Sequence, residues 1–278
     1  MLDSVLRIAA FSDGDKGGNP AGVYIADKHP SVESMQSMAA DVGFSETAFA
    51  EPTPKGWKVR YFAPESEVPF CGHATIALGV ALTQQHGDGV FSLVLNDTDI
   101  TVEGWKGGKG YCAALQSPQT HSRAASTAEV TQMLQLFGYR EKDLDQNIPP
   151  AFANGGASHL IVGLSSRQAL SNMKYDFVQG REFMNAAKIV TVMFVYAEEN
   201  QTFHSRNPFA SGGVYEDPAT GAASAAFAGY LRDLDWPHAG AIDLVQGEDM
   251  GVRSLIRADF TAEAGASVRV SGSARVMK

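Results

Sequence analysis

Apolar residues recur along this chain with two different periods, and the switches between them mark its elements. Alternating or short β-branched and aromatic runs predict strands at Leu2 to Phe11, Gly22 to Ile25, Phe44 to Ala50, Trp57 to Phe62, Phe91 to Asn96, Ile100 to Glu103 and Tyr111 to Gln116. A Gly- and Asp-rich loop, Asp13 to Pro20, separates the first two. Met35, Met38, Ala39 and Val42 return at helical spacing behind Ser31, which predicts a helix capped by that serine and running toward Asp41. Glu33 follows the cap by two residues, short of a capping box. Ala74 to Gln84 is almost entirely apolar, and a helix without a polar face is packed on all sides. The first half therefore wraps strands around a central helix.

After a polar connecting stretch, Pro118 to Ala125, the order recurs. A helix is predicted from Thr127 to Phe137, strands at Ala151 to Phe152 and His159 to Val162, a helix around Ser165 to Met173, and a strand at Ile189 to Tyr196. A second apolar helix starts at Thr220 and ends near Asp233, followed by strands at Ala241 to Gln246, Ser254 to Phe260 and Ser267 to Ala274. The expected fold class is α+β, with two similar domains, each a rolled, mostly antiparallel sheet around a central helix. The expected halves are 1–118 and 119–261.

The two apolar helices open on related strings. Pro69-Phe70-Cys71-Gly72-His73-Ala74-Thr75 is echoed by Glu216-Asp217-Pro218-Ala219-Thr220-Gly221-Ala222-Ala223-Ser224. Aligning Gly72 with Gly221 also pairs Ala74 with Ala223, Thr75 with Ser224, Ala77 with Ala226 and Leu82 with Leu231, which suggests one half duplicated into two. The matching helix starts are expected to face each other across a cleft. Gly at such a start lets a ligand approach the backbone, and the N–H groups of the first turn attract an anion. Gly72, His73, Gly221 and Ala222 would supply those N–H groups to a small carboxylate, with Cys71 and Ala74 beside them.

Few titratable groups accompany these strings. If Phe44 to Ala50 is a strand, Glu46 shares a face with Phe44, Ala48 and Ala50, where a carboxyl can give and take a proton. If Ser45, Thr47 and Phe49 form the inner face instead, Glu46 is a solvated strand residue. His73 can orient a polar group or carry a proton, or it can serve as a hydrogen-bonding residue of the helix start. Asp217 precedes Pro218, so its carboxylate is aimed at the first turn of the second helix, as a cap and as a substrate-holding group. His159, in Gly155-Gly156-Ala157-Ser158-His159, could line the cleft from the second half.

Composition narrows the function. The net charge of −9 comes with no basic run, which excludes the footprint of a nucleic-acid binder. Cys71 and Cys112 are too few for a disulfide framework and lack a zinc-site spacing. The N-terminus has no basic region before a long apolar stretch, and no apolar run reaches membrane-spanning length, so a cytoplasmic protein with no membrane partner is expected. Gly107-Gly108-Lys109-Gly110 lacks phosphate-loop spacing, no Gly-x-Ser-x-Gly elbow occurs, and carboxylates and histidines are not spaced as ligands on one helix. Neither metal nor cofactor is expected.

Five strings occur in a fixed order: Asn19-Pro20-Ala21-Gly22-Val23, Phe44-Ser45-Glu46-Thr47-Ala48-Phe49, Phe70-Cys71-Gly72-His73-Ala74-Thr75, Glu216-Asp217-Pro218-Ala219-Thr220-Gly221, and Gln246-Gly247 followed by Met250-Gly251. With them the chain resembles the PhzF-like, phenazine-biosynthesis isomerase family from about residue 5 to about residue 257. The resemblance implies the diaminopimelate epimerase fold, a last strand (262–278) that returns to the first half, a homodimer, and a cofactor-independent isomerase. It implies Glu46 as the catalytic acid/base, with His73 and Asp217 in the active site. Related epimerases use two facing thiols, whereas here Asp217-Pro218 stands opposite Cys71. Cys71 is then a small buried residue, and a proton shift on a single face by Glu46 is expected. Many relatives carry Ser where this chain has Ala222. The rival expectation is a non-catalytic small-carboxylate-binding or regulatory protein on the same fold.

Overall fold

The computed structural model describes residues 4–96, 99–108 and 110–277. The start of the strand predicted at Leu2 to Phe11, Lys109 of the Gly-rich string, and the last residue of 262–278 lie outside them. A first unit comprises the residues up to Gln116 with those from Ser271 onward, and a second comprises Ser117–Val270. In chain order come β1 (Leu6–Ala10), β2 (Asn19–Ile25), α1 (Val32–Val42), β3 (Thr47–Thr53), β4 (Gly56–Phe62), β5 (Glu67–Val68), α2 (Gly72–His86), β6 (Gly89–Val94), β7 (Asp99–Gly107) and β8 (Gly110–Gln119). They are followed by β9 (His121–Ala124), α3 (Thr127–Phe137), β10 (Ala151–Asn154), β11 (Ser158–Gly163), α4 (Arg167–Ser171), α5 (Phe177–Ala187), β12 (Thr191–Ala197) and β13 (Thr202–Phe209). The chain ends with β14 (Val214–Asp217), α6 (Gly221–Asp233), β15 (Ala241–Gln246), β16 (Ser254–Asp259) and β17 (Ser267–Val276).

Strand pairing in the first unit closes on itself. β1 lies between β2 and β17, and the pairs β2–β3, β3–β4, β4–β6, β6–β7, β7–β8 and β8–β17 complete the ring. α2 packs against β1, β2, β3, β6 and β7 and is buried from His73 through Thr83, as its lack of a polar face requires. α1 covers another face, where Met35, Met38, Ala39 and Val42 join Phe49 and Phe62 in a core cluster. In the second unit β9, β10, β11, β12, β13, β15 and β16 pair in that order, and α6 packs against β9, β10, β11 and β16.

The sheets are more mixed than expected. β2–β3 and β4–β6 are parallel in the first unit, as are β11–β12 and β13–β15 in the second. A helix spans each parallel pair: α1, α2, α4 with α5, and α6 in turn. Parallel neighbours cannot be joined by a tight hairpin, so the helices are the crossovers that make these pairings possible. The order β4-β5-α2-β6 recurs as β13-β14-α6-β15.

An ion pair recurs with that order. Arg60 on β4 donates to both carboxylate oxygens of Glu67 on β5 at 2.7 and 2.6 Å, five residues before Gly72 opens α2. Arg206 on β13 donates to both oxygens of Glu216 on β14 at 2.9 and 2.5 Å, five residues before Gly221 opens α6. The echo between the helix starts therefore extends to Glu67 and Glu216. Each pair ties the strand leading into a buried helix to the strand before it. Arg206 also donates to the carbonyls of Ser171 and Met173, so its charge is satisfied where it is buried.

Several elements escape the apolar pattern. The strand predicted from Phe44 begins at Thr47, because Gly43 ends α1 in the left-handed conformation (φ 72°) and Phe44 to Glu46 make a bend. Asn19 and Pro20 are not loop residues but pair with Ala10 and Ala9. The pattern also misses β9, β13, β14 and α5. β13 buries Ser205, Arg206 and Asn207, of which Arg206 and Asn207 find their partners 10 to 35 residues away, and α5 buries only Gly180 and Met184.

The two clamps differ in burial, which separates their energetic weight. Side-chain exposure is 10% and 4% for Arg206 and Glu216 against 20% and 27% for Arg60 and Glu67. Glu216→Ala leaves a guanidinium buried without its anion and is expected to cost about 3–5 kcal/mol in urea unfolding. Glu67→Ala, whose partner reaches water, is expected to cost about 1 kcal/mol or less. Equal losses in the two variants would contradict the burial argument.

Candidate active site

The start of α2 gathers three reactive side chains. Cys71 is the N-cap residue and His73 follows the opening Gly72, so both project from the same backbone turn. The bend after α1 delivers Ser45 and Glu46, and it is held in place where the Gly22 N–H donates to the Glu46 carbonyl at 3.1 Å. His73 Nε2 lies 3.4 Å from Glu46 Oε2 and 3.3 Å from Ser45 Oγ, while His73 Nδ1 lies 3.4 Å from Cys71 Sγ. Glu46 Oε2 is buried yet makes no hydrogen bond of its own among the described residues. Beneath them Thr75 donates to the Cys71 carbonyl at 2.7 Å and meets the Tyr61 hydroxyl at 2.6 Å, which fixes the first turn from inside the ring.

The start of α6 repeats this backbone with different side chains. Ser224, aligned with Thr75, donates to the Thr220 carbonyl at 3.1 Å, so the paired hydroxyls make the same bond. Gln246 organises the approach: its amide nitrogen donates to the Asp217 carbonyl at 2.7 Å, and its amide oxygen accepts the Thr220 N–H at 3.1 Å. The Thr220 hydroxyl donates to Asp217 Oδ2 at 2.5 Å. Gly247, at φ 72°, permits the close approach, since a Cβ there would stand 2.8 Å from the Pro218 carbonyl oxygen and 2.7 Å from that of Val252. These contacts explain why Gln246-Gly247 accompanies the Asp217-Pro218 string.

Three sequence expectations change. Glu46 precedes β3 rather than lying within it, so strand alternation does not orient its side chain; the bend and the contact with His73 do. Thr220, not Asp217, is the N-cap residue of α6, and Asp217 accepts a hydrogen bond from its hydroxyl. The position matching Cys71 is accordingly Thr220, not Asp217-Pro218, because both are the N-cap residues before an opening Gly. Gly72 and Gly221 each begin a helix, Ala74 is fully buried, and Ala222 stands where α2 has His73. The sequence pattern missed Ser45, although it borders Glu46 in the same string.

The site of the first unit combines a carboxyl, an imidazole and a thiol whose donor atoms all lie within 4.8 Å of one another. Such a group can hold and pass a proton, and its donor atoms could also hold a cation. The start of α2 adds N–H groups that have no partner within the helix, namely those of the first turn, which suit a carboxylate or a developing oxyanion.

A family model described as phenazine biosynthesis-like protein matches residues 8–278. The trans-2,3-dihydro-3-hydroxyanthranilate isomerase of Pseudomonas aeruginosa is 29% identical, over 96% of this chain and 94% of its own. A Bacillus subtilis protein named only as an isomerase is 28% identical, over 96% and 93%. The solved structure of the Bacillus anthracis phenazine biosynthesis protein of the PhzF family superposes with a TM-score of 0.85 at 21% identity, covering 99% of this chain and 96% of that one. A probable proline racemase from Agrobacterium radiobacter, solved with bound carbonate, superposes at 0.66 with 11% identity, covering 98% and 90%. The last two likenesses concern the fold. Among the described residues no helix is long and apolar enough to cross a membrane.

His159 departs from its expected place. It is wholly buried on β11, with Nδ1 2.8 Å from the Thr191 hydroxyl on the neighbouring strand and Nε2 without a hydrogen bond. Burial pushes its pKa down to about 3 from 6.5, so the native ring is neutral. The unfolded chain binds a proton there below pH 6.5 that the native protein refuses until about pH 3, so stability is full above 6.5 and falls as pH drops through that window. Urea midpoints are expected to decline across it, and His159→Asn is expected to flatten the decline. An equally steep decline in the variant would assign the acid sensitivity to other groups.

Proposed function

The chain belongs to the phenazine biosynthesis-like protein family and is an isomerase; on that premise we propose that it moves a proton on a small carboxylate substrate by general acid/base chemistry on one face. Glu46 removes a proton from a carbon made acidic by the neighbouring carboxylate, and the charge passes to the carboxylate oxygens. N–H groups at Gly72 and His73, in the first turn of α2, stabilise that charge as it develops. Glu46 then returns the proton to another carbon of the same molecule. His73 orients the substrate, Asp217 holds the Thr220 hydroxyl at the start of α6, and no second base is required. The observation that carries this reading is Glu46 Oε2, buried, 3.4 Å from His73 Nε2, and with its hydrogen-bonding capacity uncommitted. Isomerase names among relatives that align along nearly the whole chain disfavour a non-catalytic binding role. The same reading takes the enzyme as a cofactor-independent cytoplasmic homodimer, in which Cys71 and Cys112 need no disulfide.

A panel of amino, hydroxy and unsaturated cyclic carboxylates in heavy water, followed by NMR, identifies the substrate through deuterium uptake. Glu46→Gln keeps the shape and removes the proton carrier, so uptake is expected to slow at least ~100-fold while the fold persists. Undiminished uptake in that variant would sink the mechanism. Ala222 offers no hydroxyl at the start of α6, where the family resemblance implies Ser in many relatives. Ala222→Ser adds one donor and is expected to tighten binding of trans-2,3-dihydro-3-hydroxyanthranilate about 2- to 10-fold, the range of one well-placed hydrogen bond. Unchanged affinity would place the discrimination elsewhere.

A further inference from the structure

We propose that Glu46, Cys71 and His73 form a binding site for a thiophilic divalent cation of the zinc class, and that its occupancy silences the enzyme. The silencing rests on the isomerase reading above; the binding does not. The donors are a thiol sulfur, an imidazole nitrogen and a carboxylate oxygen, a mixed set that suits zinc or cobalt and not magnesium or calcium, which take oxygen ligands. Two ligands of one tetrahedral zinc stand about 3.3–3.7 Å apart, given bonds of about 2.0–2.3 Å. His73 Nε2 is 3.4 Å from Glu46 Oε2 and 4.0 Å from Cys71 Sγ, and all three donors fall within 4.8 Å of one another. Closing the set needs a sub-ångström to ångström shift of side chains, with no backbone rearrangement.

Two further features favour the site. Cys71 and His73 come from one helix start and Glu46 from a bend tied to β2, so the ligands are largely placed before any ion arrives. The side chains of His73 and Glu46 are only 8% and 14% exposed, so an ion there would be shielded from water, with a fourth position left open. Such a site would not show in the sequence, because Glu46 lies 25 residues before Cys71 and outside α2. On binding, a metal–sulfur bond replaces the S–H bond and the proton leaves to solvent. The imidazole and the carboxylate each contribute a lone pair, and nothing is oxidised or reduced. Affinity therefore rises with pH. Once Glu46 is a ligand, its oxygen can no longer carry a substrate proton.

Cobalt(II) reports the thiolate directly, through a sulfur-to-cobalt charge-transfer band in the near ultraviolet and tetrahedral bands in the visible. Full-length protein stripped with a chelator and titrated with cobalt(II) is expected to develop these bands to about one equivalent, and zinc is expected to erase them. Cys112→Ser, which removes the other thiol, should leave the bands in place. Cys71→Ser should lose the charge-transfer band, and Glu46→Gln should weaken binding at least the ~10-fold that loss of a supporting group costs. No band in the unaltered protein, or an unchanged band in Cys71→Ser, overturns the site. Zinc is also expected to stop deuterium uptake, with recovery on chelation; uptake that persists at full occupancy overturns the silencing. Absence of uptake in the stripped protein counts against the isomerase reading and leaves the spectral result standing.

Discussion

An α-helix without a polar face has to be enclosed, and in each unit the surrounding strands follow from that need. Enclosing α2 and α6 brings the backbone N–H groups of their first turns, which cannot be satisfied within the helix, into a largely buried setting. The strands that lead into them must turn sharply, and each carries a glutamate held by an arginine on the preceding strand. The interior that results is apolar along the helix body and polar at its mouth. That contrast is what an enzyme moving a proton without a cofactor requires, since charge is stabilised best where fixed dipoles replace water.

The two helix starts share a backbone plan and differ in chemistry. Thr75 and Ser224 make the same hydroxyl-to-carbonyl bond, and Cys71 and Thr220 occupy the same cap position. At α2 the residue after the opening Gly is His73, with Glu46 and Cys71 in reach; at α6 it is Ala222, and the polar groups nearby are bound to one another through Gln246, Asp217 and Thr220. The two starts thus share a backbone plan, while the neighbouring carboxyl, imidazole and thiol stand at the start of α2. This asymmetry favours a single carrier over the paired thiols of a two-base stereoinversion.

Much of this was legible in the sequence, for physical reasons. Apolar helices announce themselves because burial leaves no position for a polar residue. Glu46, His73 and Asp217 were named from their strings, yet how they are held was not. The Ser45–Glu46 bend depends on where α1 stops, and Gly43 in a left-handed conformation stops it before strand periodicity begins. The roles of Arg206 and Gln246 escaped the sequence because their partners lie 10 and 26 to 29 residues away, beyond any local period. Buried polar pairs of this kind are invisible to apolar patterning, which explains the missed β13 and β14.

The central claim is that one carboxyl, shielded from water, carries a proton from one carbon to another. The most direct measurement is a single turnover in light water of the exchanging carboxylate, deuterated at its labile carbon, with the product examined by mass spectrometry and NMR. A single sheltered carrier predicts that part of the deuterium reappears at a second carbon of the same molecule. Complete loss of the label to water, with full conversion to product, would contradict the account.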